Sequence, residues 1–267
     1  MMRIQQRKIA ERFNLNGRML IAKEGINATF EGTAKDIKGY MRAFKAQSKF
    51  KDVVFKQSEG NGKGFTKLLV KTRAETVTLG VGDLNVKKYT AKMLTAKQLD
   101  TMYNKKEDFV VLDLRNDYEI SVGKFENTVN PKLRFFRELP EKIKELEHLK
   151  NKKVVTVCTG DIRCEKGTCL LKKEGFENIY QLKDGIHTYM KEFPNKRFKG
   201  SLFVFDNRIT TPVVDKNGRE VIGRCKYCNE KCEEFYNDDS TRPSTKIICC
   251  NKCILTRGHR LRRCVPV

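Results

Sequence analysis

Apolar positions change rhythm twice along the 267 residues. To about residue 88, helix and strand spacings take turns. Ile4, Ile9 and Phe13 in "IQQRKIAERF" sit near helical spacing. Ile37, Tyr40, Met41 and Phe44 fall at i, i+3, i+4 and i+7 behind Thr33, a residue type that caps helices. Between them "RMLIA" and "NATFEG", joined by "KEGI", predict a strand pair, and "DVVFK", "KLLVK" and "TVTLG" predict three more strands. Helix, strands, helix, strands is most of a ferredoxin-like split βαβ unit, without its expected opening strand. "GVGDLNVKKYT" is the expected linker.

From about 89 to 195 the alternation is more regular. Helix "AKQLDTMYN" precedes strand "FVVLDLR", helix "PEKIKELEHL" precedes "KVVTVC", and helix "CEKGTCLLKKEG" precedes "NIYQL", with "GIHTYMKEF" as a last helix. Such alternation predicts a mostly parallel sheet with helices on both faces. Ligands collect beyond the carboxyl ends of such strands. "DLR" at 113–115 and "CTGDIRC" at 158–164 both lie at those ends, so one rim is expected to hold both. After about 196 the periodicity is weak: "SLFVFDNRITTPV" predicts a short strand pair, followed by a cysteine-rich region.

Charge changes the picture. The chain carries 55 Lys and Arg against 33 Asp and Glu, a net of +22. Residues 1–90 hold +11 (19 minus 8), residues 91–195 only +3 (20 minus 17) and residues 196–267 +8 (16 minus 8). A balanced centre between two basic segments suits a polyanionic partner, RNA first among them, better than a uniformly Lys-rich composition does. No apolar run approaches about 18 residues, so no membrane span is expected. The first residues carry no apolar signal-peptide core, so the expected address is cytoplasmic.

Ten cysteines, none before residue 158 and seven of them from 225 onward, read as thiol chemistry plus metal ligation in a reducing compartment. In "CTGDIRCEK" a strand runs through a Gly-containing turn into a helix, and the backbone N–H groups of such a turn favour an anion. A thiolate at Cys158 or Cys164 fits there, with Arg163 adding positive charge and Asp113 with Arg115 buttressing the rim as an ion pair. The plainer alternative makes both cysteines small core residues; Cys169, beside Leu170 and Leu171, is read that way, and His148 and His187 as structural. Downstream, Cys225-x2-Cys228 and Cys250-x2-Cys253 are knuckles 21 residues apart, a spacing that suits one tetrahedral, structural zinc. Cys232, Cys249, His259 and Cys264 are spare ligands, an unmetallated tail is the alternative, and "RGHRLRRC" is a basic stretch able to meet phosphates.

"VVLDLRNDYE", "VGKFENT", "CTGDIRCEK" and "IYQLKDGIHTY" together resemble a rhodanese domain. With "GRMLIAKEGINATFEGT" before it and "FVFDNRI" after it, the chain resembles the rhodanese-type tRNA uridine hydroxylases. That resemblance implies an α/β protein in three parts: an acylphosphatase-like, ferredoxin-like domain (1–88), a rhodanese domain (89–195) and a basic cysteine-rich region (196–267). It implies hydroxylation of the wobble uridine, tRNA position 34, to 5-hydroxyuridine, with molecular oxygen as co-substrate and the anticodon arm bound by the basic segments. A rhodanese nucleophile occupies the first loop position, here Cys158, but this subtype attaches the active-site role to the cysteine of "RCEK", here Cys164, with Cys158 as partner or alternative and a disulfide between them as a further option. The family loop resembles "CTGGIRCEK"; Asp161 stands in place of the second Gly, and its carboxylate opposes thiolate formation unless it points away. A persulfide sulfurtransferase and an RNA-binding module with a decayed thiol site remain alternatives.

Overall fold

The computed structural model describes residues 1–82, 84–211, 220–257 and 261–264. These divide into two compact units, Met1–Thr78 with Asp206–Arg208, and Leu79–Phe205 with Ile209–Val267.

In the first unit, α1 (Met2–Arg12) leads into a hairpin of β1 (Asn16–Ala22) and β2 (Gly25–Glu31), then α2 (Ala34–Lys45) and β3 (Leu68–Thr72). Thr33 does cap α2, its side chain accepting from the Asp36 N–H. β1 is central, antiparallel to β2 and parallel to β3, with Met19 opposite Val70. Met19, Ile21 and Val70 bury their side chains against Ala10 of α1 and Tyr40 and Phe44 of α2. Two expected strands do not form. In "DVVFK" Val53 and Phe55 pack on this core while Val54 is exposed, so the alternation is strand-like but no neighbouring strand pairs with it. In "TVTLG" the Glu24 carboxylate accepts from both the N–H (2.6 Å) and the hydroxyl (2.7 Å) of Thr76, a side-chain anchor in place of a ladder.

The second unit opens with α3 (Val86–Tyr89), β4 (Lys92–Leu94) and α4 (Ala96–Asn104). Next come β5 (Val110–Asp113), α5 (Asp117–Ile120), β6 (Gly123–Phe125), β7 (Thr128–Val129), α6 (Leu139–Lys142), β8 (Val154–Val157), α7 (Ile162–Lys173), β9 (Ile179–Leu182) and α8 (Gly185–Glu192). A capping box between Thr95 and Gln98 starts α4. β4, β9, β8, β5 and β7, in that order, make the expected parallel sheet, with Asp113 beside Val157. On one face Leu99, Tyr103, Ile186 and Tyr189 cover Val111, Val155 and Val157. α7 approaches Leu114 at Gly167. The helix expected over "PEKIKELEHL" is α6 followed by 3₁₀ turns over Ile143–Leu149. There Ile143, Leu146 and Leu149 are all buried, and their spacing of three is the one a 3₁₀ turn brings to one side.

The chain then interlocks with this core. β10 (Phe198–Gly200) pairs with β6, and β11 (Leu202–Phe203) with β12 (Thr210–Thr211), the expected strand pair; Pro212 and Val213 of "SLFVFDNRITTPV" lie outside the described residues. Phe198, Leu202 and Val204 belong to the same apolar cluster as Leu99 and Val155. β13 (Phe235–Asp238), β14 (Thr245–Ile248), α9 (Asn251–Arg257) and β15 (Leu261–Arg263) complete the fold, β13 lying between β14 and β15. Among the described residues no helix is long and apolar enough to cross a membrane.

A Cβ on Gly123 would lie 2.1 Å from the Ser201 carbonyl oxygen and 2.8 Å from the Phe198 ring. Gly123→Ala is therefore expected to destabilise this unit by about 2–3 kcal/mol, read as a lower urea midpoint; an unchanged midpoint would mean the two strands separate freely.

Candidate active site

β8 is buried along its whole length and delivers Cys158 to the carboxyl edge of the sheet. Thr159 and Gly160 turn the chain, and Asp161 starts α7 with φ +83°. That left-handed conformation is the natural place for glycine, and Asp is one of the few other residues that adopt it. The start of α8 closes over the turn. Ile186 N–H donates to the Cys158 carbonyl (2.9 Å) and His187 N–H to that of Thr159 (3.2 Å). Gly185, at φ +73°, makes the approach possible, since a Cβ there would lie 2.6 Å from the Thr159 oxygen and 2.7 Å from the Gly160 nitrogen.

Cys158 and Cys164 are both wholly buried. The Asp161 N–H points at Cys158 Sγ, 3.1 Å away. Burial opposes ionisation of Cys158. The Cys164 thiol, the Arg163 guanidinium and the N–H groups of Arg163 and Cys164 outweigh it and bring the Cys158 thiol down to about 5. Cys164 moves the other way. Burial, its hydrogen bond to Cys158, the Cys158 charge and the Asp161 carboxylate all hold its proton on. The pair is a thiolate at Cys158 beside a neutral thiol at Cys164. The extra carboxylate of Asp161 thus acts on Cys164.

Arg163 faces inward. Its two terminal nitrogens donate to Glu119 at 2.6 and 2.9 Å, and one also reaches the Thr159 hydroxyl at 3.2 Å. Glu119, itself fully buried, accepts from the Asn116 N–H as well. Asp113 and Arg115 do form the expected ion pair, but inside the protein and not on the rim. Arg115 Nε lies 3.0 Å from Asp113 Oδ1. Its Nη2 donates to Asp113 Oδ2 at 2.6 Å and to the Gly123 carbonyl at 2.7 Å, so the pair ties the end of β5 to β6. Polar residues at a strand end read as exposed in sequence; here backbone carbonyls supply the partners that allow burial.

Comparison with known proteins matches the chain to three family descriptions: a UPF0176 acylphosphatase like domain over residues 1–76, a rhodanese-like domain over 95–192, and a rhodanase C-terminal region over 199–265. A protein of Bacillus cytotoxicus named tRNA uridine(34) hydroxylase is 42% identical over 88% of this chain and 73% of its own length. One of the same name from Bacillus licheniformis is 41% identical over 91% and 76%. The chain belongs to the tRNA uridine(34) hydroxylase family. Among solved structures, a rhodanese-related protein from Thermoplasma volcanium is similar at 27% identity and TM-score 0.33, over 38% of this chain and 93% of that one.

In this family member Glu119 is the site residue that sequence reasoning missed. The available signal was local: Asn116 and Glu119 have the spacing of a capping box, which does not announce a partner 44 residues away. Cys169 is buried, as expected of a core residue, and His148 lies exposed in the 3₁₀ stretch. His187 sits in the first turn of α8, beside the loop. Away from the loop, the Sγ atoms of Cys225, Cys228, Cys250 and Cys253 all lie within 4.8 Å of one another, an arrangement able to hold a metal ion. Of the spare cysteines, Cys264 is buried among Val122, Phe203, Phe235 and Ile248, and Cys232 and Cys249 pack beside the four. His259 lies outside the described residues, as does 258–260 of the basic stretch; Arg262 of that stretch pairs with Asp239.

Because Cys158 ionises low, the difference in far-ultraviolet thiolate absorbance between wild type and Cys158→Ser should appear as pH rises through about 5 and vanish below it. In Cys164→Ala the rise moves to higher pH, since the first of the stabilising donors is gone. A rise centred near the ordinary thiol value, about 8.5, would remove the thiolate from the site. Asp161→Gly should relieve the left-handed strain and raise stability by about 1 kcal/mol in urea denaturation; a loss of stability would show that the Asp161 side chain holds the loop.

Proposed function

We propose that this protein hydroxylates the uridine at position 34 of tRNA to 5-hydroxyuridine, with molecular oxygen as co-substrate. The observation that carries this reading is the likeness, at 41–42% identity over about nine-tenths of the chain, to proteins named for that reaction. An ordered thiol–thiolate pair at the sheet edge supports it. The tRNA anticodon arm is the polyanion for the basic segments at 1–90 and 196–267. Reduced thiols and tRNA both occur in the cytoplasm, which we take as the compartment.

In this reading Cys158 is the reacting sulfur and Cys164 the proton-bearing partner. Glu119, through Arg163, and Asp113 with Arg115 are positioning residues that set the loop and the strand end beneath it. Exchanging the C5 hydrogen of uracil for hydroxyl uses one atom of dioxygen. The other leaves as water and takes two electrons and two protons. Closure of the Cys158 thiolate and the Cys164 thiol to a disulfide releases two electrons and one proton, and water supplies the second proton, so this pair is a suitable reductant for one turnover. Since both sulfurs are shut off from solvent, the loop or the start of α8 must move before a base reaches them.

A second reading, persulfide sulfur transfer, rests on one observation. The donors that hold the Cys158 thiolate would hold a persulfide equally well. Nucleoside mass spectrometry of total tRNA from a deletion strain separates the two. Loss of 5-hydroxyuridine, restored by the wild-type gene and not by Cys158→Ser, is expected. Unchanged 5-hydroxyuridine with depleted thionucleosides would replace the hydroxylase with a sulfurtransferase, and no change in either would leave an RNA-binding module.

A further inference from the structure

The four clustered cysteines come from two separate turns. Cys225 and Cys228 sit on a tight hairpin, in which Cys225 N–H donates to the Glu230 carbonyl (2.8 Å), Asn229 N–H to that of Cys225 (3.0 Å), and Arg224 bridges to Lys231. Cys250 directly precedes α9 and Cys253 lies in its first turn, the Ile254 N–H donating to the Cys250 carbonyl (3.0 Å). The Lys226 N–H donates to the Ile248 carbonyl at 2.9 Å and joins the two turns. Backbone hydrogen bonds therefore fix both pairs.

We propose that Cys225, Cys228, Cys250 and Cys253 bind one zinc ion, and that this ion braces the wall behind the thiol loop. Tetrahedral zinc with sulfur at about 2.3 Å needs sulfurs about 3.8 Å apart. Cys228 and Cys250 Sγ are 3.5 Å apart, and every pair lies within 4.8 Å. A disulfide needs about 2.05 Å, and all ten cysteines are free. Four sulfur ligands close the shell, which makes the ion structural. Cys232 and Cys249 stay outside it, Cys249 Sγ pointing at the Cys250 carbonyl at 3.6 Å.

What the ion braces follows from the packing. Cys249 and Cys250 continue β14, and Tyr236 of β13 packs on the cysteine cluster. On the adjoining positions Phe235 and Ile248 pack with Val122 and Phe203. Tyr118 of α5 lies edge-on to both Phe203 (5.1 Å) and Phe235 (6.4 Å). The next residue is Glu119, which holds Arg163. The metal thus fixes the sheet against which the support of the thiol loop rests.

The test is metal analysis of the full-length protein purified without chelator, with variants alongside. About one zinc ion per chain is expected in wild type. Cys228→Ser and Cys253→Ser should lose it, while Cys228→His, Cys232→Ser and Cys249→Ser retain it. Cobalt loaded in its place should give the intense visible bands of a tetrahedral thiolate site. Strong chelation should lower the melting temperature of wild type and leave that of Cys228→Ser unchanged. Iron in place of zinc, zinc retained in both serine variants of the four, zinc lost from Cys232→Ser or Cys249→Ser, or a wild-type protein that binds neither zinc nor cobalt would each overturn the proposal. Cys158→Ser should keep its zinc while tRNA hydroxylation fails, so the fate of the metal site and that of the proposed reaction are read separately.

Discussion

The buried pair between Arg163 and Glu119 governs what the thiol loop can do. A guanidinium enclosed in protein is costly without a partner, and Glu119 supplies a bidentate one from the short helix after β5. The pairing has a second effect. With its charge largely answered by Glu119, Arg163 is not a free cation for Cys158. The thiolate therefore leans on the Cys164 proton and on backbone N–H groups at the start of α7 as much as on the guanidinium. Charge on one cysteine is bound to a proton on the other, and the two sulfurs form one electrostatic unit.

The same economy of partners runs through the rest of the unit. Arg115 is satisfied by Asp113 and by carbonyls at Glu119 and Gly123, so β5, α5 and β6 are held by one side chain. β6 in turn pairs with β10, and the residues after β10 put Phe198, Leu202 and Val204 into the core of the parallel sheet. The chain beyond residue 196 is therefore not an appendage to the sheet. Its first strands complete that core, and its later ones press Phe235 toward α5. Disturbance of the cysteine-rich region and disturbance of the loop are linked through the packed rings of Tyr118, Phe203 and Phe235.

Much of this was legible in the sequence, for physical reasons that also mark the limits. The run "KVVTVC" and the helix after it are buried elements with strong periodicity, and they placed Cys158, Arg163 and Cys164 together. The knuckle spacing brought Cys225, Cys228, Cys250 and Cys253 to one point because two short turns leave little freedom. "DVVFK" and "TVTLG" failed because a strand is defined by its neighbour, and apolar alternation does not say whether an edge is available. Glu119 stayed hidden because its local role as a helix-start residue explains it fully, and its distant role leaves no trace in spacing. Asp161 reads in sequence as a charge, whereas its left-handed backbone angle is what makes the position one that favours glycine.

The burial of both sulfurs bears on how such a site works. A thiolate is stabilised here by donors fixed before any substrate arrives, and water is kept away from it. Those same donors stay effective only while the loop is closed. Two N–H groups from α8 and the close seat of Gly185 hold it closed, and on the proposed reading these are the bonds that loosen to admit a base. Exposure would hydrate the thiolate and weaken its hold on the Cys164 proton. Opening and activation thus oppose each other in this fold. A substrate that fills the opened space, excludes water again and leaves Glu119 and Arg163 in place reconciles them, which a nucleobase delivered on a large, charge-anchored RNA is suited to do.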